Sequence, residues 1–256
     1  MGSSIKAAAV IERDFRVFFA DRYMIVIMFV NFMIDLGVSG LSLNNLLSKS
    51  VGFNYFLYIA PGANLITATV AAFQSGRDVW RERIIQDTQQ YLLTLPVRKN
   101  VFAVSRLFSG MLRTMVTTLP GTIVIALLFG LSFPYFMVAL LIMLVYSGAV
   151  AGLSVAAASL ANSLELFATV RSTVQVYLSF FSTQFYPSGS MPSYVAALSN
   201  FNPMTWSLVI FRELPGSLNG TLQSGSLNFT QFANLAALSA ALMLVGFLLY
   251  RRTMEY

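Results

Sequence analysis

Residues 77–99 read RDVWRERIIQDTQQYLLTLPVRK. This stretch decides the fold, because it is a charged island in an apolar chain. Arg77, Asp78, Arg81, Glu82, Arg83, Asp87, Arg98 and Lys99 lie in it, eight of the 26 charged residues (16 basic and 10 acidic). Before it, residues 50–76 carry no charge, and neither do residues 114–164 beyond it. The chain of 256 residues is 57% hydrophobic and 10% charged. A soluble domain has roughly 25% charged residues. With a mean hydropathy of +0.71, the composition points to an integral membrane protein with a single membrane domain.

A spanning helix needs about 20 apolar residues. Residues 23–43 supply the first, interrupted only by Asn31 and Asp35. The second is predicted at about 55–75. The uncharged run 114–164 is too long for one span, and Gly130-Leu-Ser-Phe-Pro134 breaks it, since Pro cannot continue a helix and Gly weakens one. It divides into spans at about 107–130 and 133–160. A fifth is predicted at about 166–186 and a sixth at 232–250, closed by Arg251 and Arg252. The fold class is all-α with six transmembrane helices, filling residues 1–256 as one membrane domain.

Six spans place both termini on one side. On that side fall Lys6, Arg13, Arg16 and Arg22, then Arg77, Arg81, Arg83, Arg98, Lys99, Arg106 and Arg113, then Arg171, Arg251 and Arg252. Only Lys49 and Arg212 fall on the other. The positive-inside rule puts the termini and the charged island in the cytoplasm. The net charge of +6 therefore reads as membrane topology and not as a nucleic-acid surface. The charged N-terminus excludes a cleavable signal peptide, so the first span is expected to be retained.

Three segments are amphipathic. Ile11, Phe15, Phe18 and Phe19 recur at helical spacing, with Glu12, Arg13, Asp14 and Arg16 mostly on the remaining surface. That pattern fits an N-terminal helix lying in the membrane interface, or a plain extension of the first span. Within the island, Trp80, Ile84, Thr88, Tyr91 and Leu95 form one face of a predicted helix that Pro96 ends. It is either a solvated loop helix or a docking helix for a cytoplasmic partner. Past the fifth span, Tyr186-Pro187 through Met191-Pro192 is turn chemistry, and Asn202-Pro203 is a helix start, Asn as N-cap and Pro in the first turn. Residues 193–199 and 204–211 are each too short to span and read as two re-entrant helices in the outer leaflet. Asn219 and Asn228 match the glycosylation acceptor pattern in a Gly/Ser-rich loop.

The chemistry inventory excludes most enzyme classes. The chain has no Cys and no His, so thiolate, imidazole and Cys/His metal chemistry are out. No lysine follows a glycine, so no Walker A loop can hold ATP. Asp35 is the one carboxylate expected inside the membrane, about 20 Å along the first span from Arg22. Intramembrane carboxylates are costly and face polar interiors. Asp35 is either part of a substrate or ion path, or a structural hydrogen-bonding group near the outer interface. Arg113, two turns into the third span, is expected to snorkel back to the cytoplasm, and Glu165 with Arg171 to form the cytoplasmic fourth-to-fifth turn.

Several motifs together resemble a known family. Tyr58-Ile-Ala-Pro-Gly62 opens the second span, Arg81-Glu-Arg83 leads to Leu92-Leu-Thr-Leu-Pro-Val97, and Tyr186-Pro187, Met191-Pro192, Asn202-Pro-Met-Thr205 and Arg212 follow the fifth span. In order and spacing the chain resembles the ATP-binding-cassette type 2 exporter permeases for drugs, lipo-oligosaccharides and polysaccharides. The resemblance implies a transport subunit with no cofactor of its own, ATP and Mg being bound by a partner. It implies a cytoplasmic ATPase dimer, a second permease copy and membrane lipid as partners. The docking coupling helix would comprise Trp80, Arg81, Glu82, Arg83, Ile84, Thr88, Tyr91, Leu92 and Leu95. The first, second and fifth spans would line the path, with Asn31, Asp35, Asn64, Tyr177 and Phe181 as candidate residues. Pro192, Asn202, Pro203 and Arg212 would form the outer re-entrant region. The alternative is an ion-gradient-driven transporter or channel that uses Asp35.

Overall fold

A computed structural model describes residues 3–20, 23–44, 54–86, 98–185, 187, 189, 191–214 and 229–254. Among these residues all regular structure is helical. Helix α1 is Ser3–Ala20 and α2 is Tyr23–Asp35, which runs on through a π-helical stretch, Leu36–Leu41. Then come α3 (Tyr55–Ile84), α4 (Lys99–Phe129), α5 (Phe133–Leu160) and α6 (Leu164–Phe180). Two short helices, α7 (Ser193–Ser199) and α8 (Pro203–Glu213), precede α9 (Phe229–Arg252).

Five helices are long and apolar enough to cross a membrane: Tyr23–Asn44, α3, α4, α5 and α9. The predicted first and fourth spans coincide with them. Three others overrun their predicted limits, α9 by only two or three residues at each end. Helix α3 continues past residue 75 to Ile84, and α4 begins at Lys99, because charged residues prolong a helix wherever neighbours pair them. The predicted fifth span, 166–186, ends early: α6 stops at Phe180 with 17 residues, about 25 Å at 1.5 Å per residue. The α4–α5 hairpin forms at the predicted break. Gly130 adopts φ +61° as the left-handed C-cap of α4, a conformation that costs only glycine nothing, and Pro134 sits in the first turn of α5.

Helix α5 is the centre of the bundle. Small residues let its neighbours approach at backbone distance, the packing that apolar surroundings favour. A Cβ on Gly246 of α9 would lie 2.5 Å from the Gly152 carbonyl oxygen, and one on Gly76 of α3 would lie 2.7 Å from that of Ser154. The threonines of α4 satisfy themselves: Thr114, Thr117, Thr118 and Thr122 each donate to the carbonyl four residues earlier at 2.8–3.0 Å. An apolar cluster around Tyr146, Leu65, Met143, Leu208 and Phe211 ties α3, α5 and α8 together.

Helix α1 keeps Glu12 and Arg16 exposed and buries Phe18, but departs from the predicted sidedness at one residue. Its charged residue Asp14 is buried, 3% exposed, while Val17 and Phe19 stand open. The acid turns inward because a cation on α4 awaits it.

Candidate functional site

Charge gathers at one end of the bundle, where α1, the last turns of α3, the first turns of α4 and the end of α9 meet. Arg106 of α4 donates from Nη1 to Asp14 Oδ1 at 2.7 Å, both side chains 3% exposed. Arg106 also pairs with Glu82 of α3, and Arg13 pairs with the same Glu82. Arg13 lies 3.6 Å from Asp14. Two cations and two carboxylates thus close a ring across three helices. Burial, then the charge of Arg106, pushes the Arg13 guanidinium below its ordinary range, with Asp14 opposing. One level deeper, Arg113 donates to Asp78 at 2.8 Å and lies 5.1 Å from the Phe18 ring centroid. Its counter-ion stands beside it on α3.

The structure describes only the first part of the predicted docking helix. Trp80 to Ile84 are the last residues of α3, and the helix stops there, with Ile85 in a turn. Of the predicted face, Trp80 and Ile84 fall within α3. Thr88, Tyr91, Leu92 and Leu95 lie outside the described residues. Trp80 is turned inward, 3% exposed, and its Nε1 donates to the Ala161 carbonyl at 3.1 Å. Arg83 donates to the Ser159 and Ala161 carbonyls at 2.6 and 2.5 Å. Both cap the C-terminal carbonyls of α5, which have no partner within that helix. With Glu82 in the ion ring, the residues offered outward are Arg81, Ile84 (42% exposed), Ile85 (62% exposed) and Gln86.

A cleft of about 240 Å3 runs between α2, α3 and α6. Its polar lining is Asn31, Asp35, Thr67, Arg171 and Gln175, and its apolar walls are Met28, Ile34, Ile66 and Val70. The π-helical stretch begins directly after Asp35, and such insertions are frequent at functional sites. Arg171 is two turns inside α6 and not in the α5–α6 turn, which Ala161 to Ser163 form. Only Asn31 and Asp35 of the predicted path residues line this cleft. Asn64 faces the other way, 1% exposed, with its amide donating to Thr122 Oγ1 at 2.9 Å. It is a structural contact to α4. Tyr177 and Phe181 stack at 5.7 Å between centroids, and the Tyr177 hydroxyl donates to the Leu198 carbonyl at 3.2 Å.

At the opposite end, α6 gives way to an irregular segment, Phe181–Phe185, whose Ser182, Thr183 and Gln184 are buried. Backbone of this kind is tolerated at depth only when its polar groups are met. Asn202, the N-cap of α8, donates to the Leu178 and Phe181 carbonyls at 3.0 and 2.9 Å, while accepting from the Met204 amide at 2.9 Å. Arg212 donates to the Thr183 carbonyl at 2.8 Å and the Tyr58 carbonyl at 3.1 Å, 3.5 Å from the Tyr58 ring centroid. The Tyr58 and Tyr55 hydroxyls donate to the Thr183 and Phe185 carbonyls at 2.8 and 2.7 Å. Pro203 opens α8, and Pro192 is the exposed N-cap of α7.

Sequence reasoning missed Arg106 as the hub of the ion ring and Gln175 as a wall of the cleft. A signal existed for the first. Asp14 and Phe18 share a helix face at i, i+4, and so do Arg106 and Arg113 at i, i+7; the two faces meet rung by rung.

A family model described as ABC-2 type transporter matches residues 6–214. No curated protein matches the chain significantly. The matched region contains the ion ring's Asp14, Glu82 and Arg106, the cleft and both short helices. The chain belongs to the ABC-2 type transporter family, as a multi-pass membrane permease subunit of the kind that works with a cytoplasmic ATPase.

Proposed function

We propose that this permease moves an amphipathic or lipid-linked substrate outward across the cell membrane, energised by a separate ATPase dimer that binds ATP and Mg. The cleft between α2, α3 and α6 carries the reading: polar and charged side chains line it on a face that the rest of the bundle leaves open. A second permease copy faces this cleft and completes the path. In this reading there are six crossings. Helix α6, short by itself, reaches the outer surface with the irregular segment Phe181–Phe185, which α8 holds in place. The termini and the ion ring are cytoplasmic, as the gathering of Arg and Lys at that end supports. Helix α1 lies in the inner interface, and α7 and α8 dip into the outer leaflet.

Residues 77–99 transmit the ATPase stroke. Arg81, Ile84, Ile85 and Gln86 are the exposed contact points of the described part, and the ion ring passes their displacement to α1 and α4. The experiment is the double substitution Ile84→Asp with Leu95→Asp, assayed for ATP-dependent substrate movement in proteoliposomes containing the ATPase. Transport is expected to be lost while thermal stability of the permease is kept. Normal coupling in that variant removes the docking assignment.

A further inference from the structure

Asp35 and Arg171 line one cleft, yet neither forms an ion pair with the other or with any other described residue. The contrast with the rest of the bundle is sharp. Asp14, Asp78, Glu82, Arg106 and Arg113 are all paired, and Arg83 and Arg212 are spent on backbone carbonyls. An ionised group in hydrocarbon surroundings is costly unless a counter-charge or water meets it. Two unpaired charges of opposite sign in one cleft call for a ligand that brings both counter-charges.

The geometry points to a zwitterionic amphiphile as the molecule this cleft selects; the inference rests on the permease reading and names its substrate class. The anionic group sits at Arg171. The cationic group sits at Asp35, and Asn31, Thr67 and Gln175 supply hydrogen bonds between them. The volume of about 240 Å3 falls below the roughly 300 Å3 at which pockets for whole drug-sized ligands begin. It holds a headgroup. The apolar chain lies outside, along the exposed α2 side chains Val26, Val30 and Ile34. An anionic amphiphile would leave Asp35 unanswered, and a cationic one would leave Arg171.

The test is binding of three radiolabelled probes with equal alkyl chains to the full chain in a nonionic maltoside detergent: lysophosphatidylcholine, lysophosphatidylglycerol and an alkyltrimethylammonium. Saturable binding, tightest for the zwitterion, is expected. Asp35→Asn should weaken the zwitterion and the cation about tenfold and spare the anion. Arg171→Gln should weaken the zwitterion and the anion about tenfold and spare the cation, since one lost charge contact of this kind removes about a decade of affinity. Asp35→Glu and Arg171→Lys should bind near normally, which separates loss of charge from loss of fold. Zwitterion affinity unchanged from the unsubstituted chain in either neutral variant, or a singly charged probe binding as tightly as the zwitterion, overturns the proposal. No ATPase is present in this assay, so its outcome is independent of ATP-driven movement. Binding as expected without ATP-driven transport would leave the site standing and remove the permease reading, and the reverse result would do the opposite.

Discussion

Replacing Arg106 with Leu isolates the ion ring. Among the described residues the guanidinium pairs closely with both carboxylates, Asp14 at 2.7 Å and Glu82, whereas Arg13 pairs closely with Glu82 alone and stands 3.6 Å from Asp14. Without it Asp14 stays buried with Arg13 3.6 Å away, while Arg13 remains engaged with Glu82. Removing one partner of a buried pair costs about 3–5 kcal/mol, because a charge is left uncompensated. The Asp14–Arg106 pair qualifies, each being 3% exposed. The Arg13–Glu82 pair is more open and contributes about 1 kcal/mol or less. For a chain of this size each kcal/mol shifts Tm by about 2–4 °C, so Arg106→Leu should lower it by on the order of 10 °C. Asp14→Leu should cost less, since Arg106 keeps Glu82. The double variant Asp14→Leu/Arg106→Leu should recover much of the loss, because apolar replacement of both partners is close to neutral. The assay is thermal unfolding of the purified permease in detergent for all four proteins. A shift under 2 °C for Arg106→Leu, or strictly additive losses in the double variant, would refute the buried-pair reasoning.

Other expectations follow from single contacts. Gly246→Val drives a side chain into the Gly152 carbonyl, 2.5 Å from where its Cβ would lie, so overpacking should destabilise the α5–α9 contact by about 1–3 kcal/mol, read as a lower Tm. Asn202→Ala removes the N-cap of α8 and the donor to the Leu178 and Phe181 carbonyls. A loss of about 2 kcal/mol is expected from the cap alone with its buried carbonyls, with faster hydrogen exchange confined to α8 and residues 181–185. Trp80→Phe keeps the packing and removes the bond to Ala161, costing about 1 kcal/mol and leaving ATPase binding intact, whereas a docking role for the indole would abolish that binding.

Much of the fold was legible because hydropathy and turn chemistry are local. The 133–160 span, the Gly130–Pro134 break and the Asn202-Pro203 helix start lie where composition put them. What sequence could not show is which neighbour each polar residue meets. Asn64 reads as a polar residue in a span, and only the closeness of α4 makes it structural. Trp80 fits an exposed docking face by periodicity, yet the free carbonyls of α5 turn it inward. Asp14 belongs to the polar face of an amphipathic helix until Arg106, 92 residues away in the chain, is seen opposite. The cleft was half legible. Asp35 stands out as a lone carboxylate in an apolar run, but its companion Arg171 was hidden by its place near a predicted turn, and the partner that meets the last carbonyls of α6, Asn202, lies on α8.

The most direct test of the account uses sealed proteoliposomes holding the permease with its ATPase, with ATP supplied only to the side bearing the termini and residues 77–99. A labelled zwitterionic amphiphile should move away from that side when ATP is hydrolysed, and should stay put when ATP is absent and an ion gradient is imposed. Movement that persists without ATP under a gradient, and that Asp35→Asn abolishes, would contradict the account and make this protein a gradient-driven carrier.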